Sequence, residues 1–314
     1  MNAIATIKNP GLQTTIQDAG RPGTRHLGVP QSGAADRVSF ALANAVADNP
    51  WNTPALECTL LGPSLEFSSP CGFALGGADM GATLNGGPLD LYRHYKVQAG
   101  DLLALESSKL GARCYIAFTG GITGNAFLGS ISTYLPALIG GNGGHALREN
   151  DIIETAGNPT IQHETPDYLR PIISHDWMLR ATPGPETEAF DPKTLRQFYS
   201  TKFTADQRGN RMGMRLTGAA IGARALGQMK SSAVFPGTVQ CPPDGAPFLL
   251  LSDAQTVGGY PRIAQVITAD LHLTGQIRPG DHIWFIKTGA ASARDIAEKK
   301  TAFFASTMSG FRLD

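Results

Sequence analysis

The stretch PGDHIWF, residues 279–285, places a glycine–aspartate pair directly before a short apolar run. The same order, in which Asp follows Gly or Asn and leads into apolar residues, occurs in AGDLLAL (99–105) and ENDIIE (149–154). Gly and Asn tolerate the backbone conformations of tight turns, and short apolar runs bounded by turn residues are typical of buried strands. The three stretches therefore predict turn-then-strand units, and their recurrence indicates repeated barrel-like units.

More strands are predicted on either side of these units. The runs CYIAF (114–118) and FLLL (248–251) are apolar and bounded by turn residues. Asn85-Gly86 lies between two short runs, 82–84 and 89–91, and this dipeptide is typical of a tight hairpin turn. Strands predominate, so the sequence predicts a mainly β fold, a barrel or a sandwich.

A few peripheral helices are predicted around the strands. One begins after Asp36, an N-cap acid, and ends at Asn49-Pro50. A second begins at Asp191-Pro192 and runs to about Tyr199, and a third covers about 294–308. The length of 314 residues predicts two compact units of about 150 residues each. We place the boundary in the polar, proline-containing segment 155–175, with an N-terminal β unit over 1–165 and a C-terminal β unit with its helix over 166–314, and strands can be exchanged between them.

Composition and charge exclude several classes of protein. Hydrophobic residues make up 42% of the chain, which is enough for a core. Lys+Arg and Asp+Glu number 26 each, so the formal charge is zero, which argues against electrostatic binding of nucleic acid or an anionic membrane. No export signal is recognisable, and the charge-free stretch 114–147 is too rich in glycine to be a membrane span. The four cysteines form no CxxC pair and are expected to be free thiols, so we expect a cytoplasmic protein.

Common catalytic motifs are absent from the sequence. It contains no GxxxxGK[ST], no GxGxxG after a strand, no HExxH and no GxSxG, and its seven histidines have no metal-ligand spacing. No metal site is therefore predicted on this chain.

Four polar, glycine-rich clusters remain as candidate sites: residues 14–36, 128–144, 210–215 and 252–261. Backbone amides of a loop such as 128–144 can form an anion nest. If 210–215 is a strand, Arg211 and Arg215 share a face suited to carboxylate or phosphate. Asp253 and Gln255 follow a buried strand and are placed to position a substrate and move a proton. Each cluster also has a structural interpretation as turns, helix caps, a flexible loop or a charged surface.

Taken together, the clusters resemble one family, the KipA group, also called allophanate hydrolase subunit 2 or the biotin-dependent carboxyltransferase family. The blocks that carry the resemblance are TTIQDAGRPG with GVPQSGAAD (14–36), ALECTLLGP (55–63), LGSIST (128–133), PGP (183–185), NRMGMRL (210–216), PGTVQCPPDGAP (236–247) and DAQTVGGYPRIAQVITAD (253–270). They extend over nearly the whole chain. Within the family, they are most similar to the C subunits of bacterial 5-oxoprolinases.

The resemblance implies two cyclophilin-like β-barrel units and a role within a heteromeric complex. It implies a KipI-type B subunit, with which the chain would form a heterodimer or heterotetramer and an active cleft, and a LamB/YcsF-type A subunit. The implied reaction is the ATP-dependent opening of 5-oxo-L-proline to L-glutamate, with ATP and Mg²⁺ held mainly by the partner and no covalent biotin on this chain.

The family blocks also imply the site residues. Asp253, Gln255 and Arg211 are the candidate catalytic residues. The candidate substrate-binding residues are Asn210, Arg215, Thr256, Thr15, Gln17, Asp18, Arg21, Ser32 and Asp36. We expect the loops around Asp18, Arg211 and Asp253 to meet at one polar pocket that faces the partner.

The sequence departs from the family pattern at Cys241, which replaces a usual Val and is expected to change packing only, and at three further positions. His145 stands where relatives usually carry Arg, Asn150 stands where Gly is common, and Ser232 occupies a position that is often ionisable. Loss of an essential Arg or acid would weaken or alter the cleft.

Two other functions stay open from the sequence. One is the carboxyltransferase component of a urea or allophanate-type biotin-dependent system, whose biotin carrier would be another chain, since Lys230 lacks the AMKM-like context of a biotinylated lysine. The other is a non-catalytic KipA-like regulator that binds a KipI-type kinase inhibitor and would tolerate loss of Asp253 and Arg211.

Overall fold

A computed structural model describes residues 2–155, 164–222 and 229–313 of the chain. Residues 156–163 of the predicted boundary segment lie outside the described residues. By internal contacts the chain divides into two compact units: unit 1 comprises Met1–Arg21, Ser32–Ile173 and Phe303–Arg312, and unit 2 comprises Pro22–Gln31, Ser174–Ala302 and Leu313–Asp314. The domain boundary between residues 165 and 166 stays a prediction.

Unit 1 consists of two antiparallel sheets. Its strands are β1 Asn2–Asn9, β2 Gln13–Gln17, β3 Ala55–Thr59, β4 Ser64–Phe67, β5 Cys71–Gly77, β6 Thr83–Leu84, β7 Gly87–Pro88, β8 His94–Val97, β9 Leu102–Ala104, β10 Arg113–Phe118 and β11 Ile152–Thr155. One sheet has the order β11-β1-β4-β9-β6-β7 and the other β2-β3-β10-β5-β8. Both contribute to one apolar core, in which the rings of Phe67 and Phe73 stack with centroids 5.7 Å apart.

Helix α1, Arg37–Val46, covers the second sheet of unit 1. Its N-cap is Asp36, whose carboxylate accepts a hydrogen bond from the Ser39 N–H at 3.0 Å, as predicted. Phe40 of the helix packs edge-on against Tyr115 of β10 with 5.8 Å between ring centroids. Because the helix covers one face of these strands and the apolar core of unit 1 covers the other, every residue of β5 and β10 is buried.

Unit 2 is a closed seven-stranded barrel with the order β12-β19-β16-β17-β14-β13-β20. The barrel strands are β12 Asp176–Pro183, β13 Phe203–Ala205, β14 Gly213–Thr217, β16 Thr238–Gln240, β17 Phe248–Leu250, β19 Arg262–Val266 and β20 His282–Lys287. Two further strands, β15 Ser232–Ala233 and β18 Val257–Gly258, form a separate two-stranded sheet. Parallel pairing of β12 with β20 closes the barrel. The helices are α2 Pro192–Ser200, capped by Asp191, then α3 Leu271–Thr274 and α4 Ala290–Ala305. The mainly β fold with peripheral helices is confirmed.

The three turn-then-strand stretches form the same corner. In each, the aspartate carboxylate accepts the backbone N–H of the residue three positions earlier, at 2.7–2.9 Å. The residue before the aspartate has a positive φ and donates its N–H to a carbonyl of another strand or its end. The aspartates are Asp101, Asp151 and Asp281; the preceding residues are Gly100 (φ 92°), Asn150 (φ 71°) and Gly280 (φ 88°); the acceptors are the carbonyls of Phe67, Ile7 and Ala205. The predicted repeat is therefore a repeat of one turn geometry, present in both units.

The corner accounts for one departure from the family pattern. Asn150 has φ of 71°, in the left-handed region, where Asn is tolerated better than other residues with a β-carbon. Asn can therefore fill a position that Gly commonly occupies. The Asn85-Gly86 turn is likewise confirmed, with positive φ at both residues, although its second strand is Gly87–Pro88 rather than residues 89–91.

The four cysteines are buried free thiols, as predicted. Burial raises the pKa of Cys71, Cys114 and Cys241 to about 12, so these thiols are protonated at neutral pH and poor nucleophiles. Among the helices of the described residues, none has the length and apolar character needed to span a membrane.

Candidate functional site

The Arg211–Asp253 ion pair is the most deeply buried charged feature of the candidate site in unit 2. Arg211 lies in the turn that precedes β14, and Asp253 lies in the turn that follows β17. The Arg211 Nε donates to Asp253 Oδ2 at 2.8 Å, and Nη2 donates to Oδ1 at 3.1 Å. The Asp253 N–H also donates to the Arg211 carbonyl at 2.9 Å. The two residues are 5% and 1% exposed, so a bidentate pair fixes both turns in a nearly water-free setting.

The prediction that Arg211 and Arg215 share one strand face is wrong, because β14 begins at Gly213, after Arg211. Arg215 instead pairs with Asp244 at 2.7 Å in a half-exposed position. The Asn210 Oδ1 accepts the Met212 N–H at 2.8 Å and shapes the turn that carries Arg211.

A second polar group of unit 2 lies beside this pair. The Gln255 Nε2 donates to Gln240 Oε1 at 3.4 Å, and the Gln255 carbonyl accepts from Arg25 Nη2 at 2.9 Å. The carbonyl of Thr256 accepts the Val234 N–H at 3.1 Å, which joins the DAQT block to the end of β15. Both glutamines and Thr256 lie in family blocks, so these blocks meet in space.

Arg25 and Gln240 are residues that the sequence analysis missed as site residues. Arg25 lies in residues 24–27, between the two parts of the first family block, and belongs to unit 2 with the rest of Pro22–Gln31. Its guanidinium also donates to the Val234 carbonyl and lies over the Phe235 ring, 5.2 Å from the centroid. A single arginine in a turn has no sequence pattern, so only its place between Gly23 and Gly28 could have drawn attention to it.

In unit 1, Asp18 joins the first and second clusters. Its Oδ1 accepts from the Gly20 N–H at 2.7 Å and from the hydroxyls of Ser130 and Ser132 at 2.6 and 2.5 Å. Its Oδ2 accepts the Ile131 N–H at 2.8 Å. Four donors therefore surround one carboxylate, and the LGSIST loop is held against the TTIQD strand.

Other predicted residues of unit 1 support the same loop. The Gln17 Nε2 donates to the Thr15 hydroxyl and to the Thr133 carbonyl, both at 3.1 Å. Arg21 is fully buried and donates to the carbonyls of Ser132 and Phe127.

Ser32 and Asp36 lie on the approach to α1. Ser32 is 6% exposed and has φ of 56°. Asp36 caps α1, and its N–H donates to the Tyr115 hydroxyl at 2.7 Å. The described contacts of Asp36 are those of a structural residue.

Three amides of the glycine-rich loop that could contribute to the anion nest considered from the sequence are already hydrogen-bonded within the protein. The Gly141 N–H donates to the Ile131 carbonyl at 2.7 Å, the Gly143 N–H to Asn125 Oδ1 at 2.9 Å, and the Gly144 N–H to the Gly140 carbonyl at 2.6 Å. These donors are used within the protein, so they are not available to an anion.

A buried network around Glu57 was also missed. Its carboxylate accepts from Arg113 Nε at 3.2 Å, from the Tyr115 hydroxyl at 2.9 Å and from the Ala35 N–H at 2.9 Å. It connects β3 and β10 to the residue before the α1 cap. The sequence signal was an acidic residue inside an otherwise buried strand, ALECT.

Asp18 belongs to unit 1, whereas Arg211 and Asp253 belong to unit 2. Their convergence at one pocket therefore stays a prediction. Within the described residues, no group of three or more His, Cys, Asp or Glu side chains could hold a metal ion. Of the remaining departures, His145 Nδ1 lies 3.5 Å from Arg148 Nη2, and Ser232 is in β15, where its hydroxyl donates to the Lys230 carbonyl at 3.4 Å.

Comparison with known proteins defines the class first. Residues 27–287 match the family model of the carboxyltransferase domain, subdomains A and B. The chain therefore belongs to the carboxyltransferase family, as the sequence analysis indicated.

Individual relatives fall into two groups. The chain is 35% identical to the C subunit of the Haemophilus influenzae 5-oxoprolinase over 93% of both chains, and 34% identical to that of Escherichia coli over 94% of both. It is also 32% identical to the urea amidolyase of Saccharomyces cerevisiae, over 93% of this chain but only 17% of that protein. The crystal structure of Kluyveromyces lactis urea amidolyase superposes with a TM-score of 0.92 at 29% identity, covering 99% of this chain and 20% of the other.

Proposed function

We propose that this chain is the C subunit of an ATP-dependent 5-oxoprolinase, which opens 5-oxo-L-proline to L-glutamate. It would act with a KipI-type B subunit and a LamB/YcsF-type A subunit in the cytoplasm. The observation that carries the proposal is that its similarity to the 5-oxoprolinase C subunit covers 93% of both chains. Urea amidolyases, in contrast, contain the similar region as about a sixth of a much longer chain.

The chemistry explains why ATP is needed. A lactam is a poor electrophile, because its nitrogen donates electron density to the carbonyl. Transfer of the γ-phosphoryl group to the lactam oxygen forms an O–P bond, breaks the bond to the bridging oxygen and releases ADP. Water then adds to the ring carbon, the C–N bond breaks, and the nitrogen takes up a proton to become the amino group. A second water attacks the carbonyl carbon of the resulting acyl phosphate, the bond between that carbon and the phosphate oxygen breaks, and phosphate leaves to give glutamate.

We assign the phosphoryl step to the pair formed by this chain and its KipI-type partner, with ATP and Mg²⁺ held mainly by the partner. Arg211 is suited to this step, since a guanidinium stabilises the charge that develops on phosphoryl or lactam oxygens. Asp253 directs both of its oxygens to Arg211, so its proposed role is to orient that guanidinium.

The remaining candidate residues have supporting roles in this proposal. Gln255, already close to Gln240, would hold the amide or carboxylate edge of the substrate. Asn210 and Thr256 would set the two turns, and Arg215 would neutralise additional charge. The residues of the first block, Thr15, Gln17, Asp18, Arg21, Ser32 and Asp36, would hold the loops of unit 1 that line the cleft.

The experiment that tests the proposal is a substrate comparison in a reconstituted system. The chain is mixed with its KipI-type and LamB/YcsF-type partners, and glutamate is measured with 5-oxoproline and ATP. A parallel reaction supplies a biotin carrier, bicarbonate, ATP, a biotin carboxylase and urea, and measures carboxylated urea. Glutamate formation only in the complete first mixture supports the proposal, whereas product only in the second mixture contradicts it.

The second reaction tests the carboxyltransferase alternative, which the match to the carboxyltransferase family model and the similarity to urea amidolyase favour.

Isotopic labelling of the lactam oxygen tests the proposed mechanism of ring opening. If the lactam oxygen is phosphorylated and water then cleaves the acyl phosphate at its carbonyl carbon, ¹⁸O from the lactam carbonyl appears in the released phosphate. If the ring opens by direct water attack, all of that label remains in the glutamate carboxylate.

A further inference from the structure

Arg25 is a cation of unit 2 that has no carboxylate partner among the described residues. Its guanidinium contacts are two carbonyls, those of Val234 and Gln255, and the face of the Phe235 ring. Other half-buried or buried arginines of this unit pair with carboxylates, for example Arg262 with Glu186 and Arg211 with Asp253. Arg25 differs from them in having its charge uncompensated.

The two Nη atoms of Arg25 differ in their contacts. Nη2 is used by both carbonyls, so one edge of the guanidinium is anchored. Nη1 is shielded from solvent and has no hydrogen-bond acceptor among the described residues. Burial also lowers the pKa of the Arg25 side chain, which reflects the cost of removing this charge from water.

An anchored but uncompensated guanidinium is costly in the free protein, because an unmade hydrogen bond and a desolvated charge both raise its free energy. An anion that supplies an acceptor to Nη1 would recover part of that cost. Guanidinium binds carboxylate and phosphate with charge-assisted hydrogen bonds, so either chemistry is suitable in principle.

Two neighbours favour a small organic carboxylate. Arg25 is held to the carbonyl of Gln255, one of the candidate catalytic residues. The Phe235 ring beneath the guanidinium also lines a cavity of about 350 Å³, whose walls include the apolar Pro183, Pro185 and Ala264 and the polar Thr238, Gln265 and Arg262, the last paired with Glu186. A small lactam ring, which combines apolar CH₂ groups with a polar amide, matches a cavity with both apolar and polar walls, one of which, Phe235, lies against the uncompensated Arg25 cation.

We propose that Arg25 binds the carboxylate of the substrate, while the ring of the substrate occupies the cavity beside Phe235. This inference rests on the proposed function, since 5-oxoproline is a five-membered lactam with one carboxylate. It makes Arg25 a substrate-binding residue that distinguishes 5-oxoproline from uncharged lactams. The competing interpretation is that Arg25 only fastens residues 22–31 to the ends of β15 and the DAQT turn.

The test compares two ligands with the assembled complex. 5-Oxoproline carries the carboxylate, and 5-oxoprolinamide replaces it with a neutral carboxamide of similar size. Binding of each is measured by calorimetry without ATP, and KM and kcat are measured from ATP-dependent phosphate release. The variants are Arg25→Gln and Arg25→Lys, and Arg208→Gln is the matched control, because the Arg208 side chain is 84% exposed and pairs with Asp206.

The wild-type complex is expected to bind the acid roughly 10- to 100-fold more tightly than the amide, as one charge-assisted hydrogen-bonded contact predicts. Arg25→Gln is expected to raise KM for the acid by a similar factor and to remove the preference, with a smaller effect on kcat. Arg25→Lys should retain part of the preference, and Arg208→Gln should retain all of it.

Several results would overturn the assignment. Equal binding of acid and amide by the wild-type complex, or binding of neither, does so without any variant. An Arg25→Gln protein that keeps the preference, or that loses affinity for both ligands equally together with its melting temperature, shows a fastening role only. Binding of the acid without any glutamate formation contradicts the proposed function instead, so the two failures are distinguishable.

Discussion

Asp253 and Arg211 share two parallel hydrogen bonds in a position that bulk water barely reaches. Removing one member of a buried ion pair leaves the other charge uncompensated, which costs about 3–5 kcal/mol. Asp253→Asn is therefore expected to lower the free energy of unfolding by roughly that amount, as measured by urea denaturation. Asp295→Asn, which removes an exposed helical ion pair with Lys299, is the control and should change stability little. Equal effects of the two substitutions would contradict a structural role for the buried pair.

At the corner that contains Asn150, the stability of the protein is expected to depend on how easily the residue at position 150 adopts a positive φ. Asn150 has φ of 71°, so Asn150→Ala forces an alanine into the left-handed region at a cost of about 1–2 kcal/mol. Asn150→Gly should be neutral or slightly stabilising, because Gly adopts this conformation without strain. Glu149→Ala, at the exposed neighbouring position, provides the baseline for the same denaturation measurement. A glycine variant less stable than the alanine variant would refute this explanation.

Single residues were the hardest feature to predict from the sequence. Asp36 and Asp191 were recognised as helix caps because an acid before a helical pattern is a local signal. Arg25 and Glu57 carry no such signal, since their significance depends on which groups surround them after folding. The contact of Arg25 with Gln255 joins positions 230 residues apart, and no local pattern records it.

Helices α3 and α4 are joined by a polar contact between Lys300 and the titratable side chain of His272. Lys300 of α4 donates to the Ala269 carbonyl and lies 3.2 Å from Nε2 of His272, which is buried in α3. Burial lowers the pKa of His272 well below 6.5, and the charges of Lys300 and Arg180 add to this effect. The carboxylate of Asp270 is engaged by Arg180.

The lowered pKa of His272 determines how the free energy of unfolding changes with pH. Because the pKa of His272 is lower in the folded than in the unfolded protein, the unfolded state binds a proton first as the pH falls. The stabilisation is therefore complete above about pH 6.5 and is lost as the pH falls from there towards the folded-state pKa, with a slope of at most about 1.4 kcal/mol per pH unit. We expect the unfolding free energy of the wild type to fall more steeply between about pH 7 and 5 than that of His272→Gln. Parallel curves would show that His272 does not contribute.

Elements were predicted better than residues, for a physical reason. Turn residues before apolar runs specify strands locally, and all three Gly/Asn-Asp stretches form the same corner. The interpretation of residues 210–215 as a strand was partly wrong because the turn at Asn210 delays β14 until Gly213. The residue at which a short polar segment begins to pair with a neighbouring strand depends on the other strands of the sheet. The local sequence does not contain that information.

For the whole molecule, the mainly β class followed from the strand patterns, but the closure of the barrel did not. β12 and β20 pair in parallel between Asp176 and His282, residues that are far apart in the sequence. Such pairing is fixed by the complete set of strands and leaves no local trace. The family resemblance supplied what the local patterns could not, because it covers nearly the entire chain, and the match over residues 27–287 confirmed it.

The proposed function makes the chain an obligatory partner rather than a regulator. In a heteromeric enzyme whose active cleft needs this chain, activity is limited by assembled complex, so it must rise with added chain and then saturate. A regulator that masks a partner would instead lower the partner's own activity and would not need Arg211.

The most direct test is a titration of this chain into fixed amounts of its KipI-type and LamB/YcsF-type partners, with glutamate release from 5-oxoproline and ATP as the measurement. We predict no glutamate without the chain, a rise in rate as it is added, and a plateau at a fixed ratio to the KipI-type partner. A rate that is already full in its absence, or that falls as it is added, would contradict the claim that this chain is a catalytic component of the enzyme.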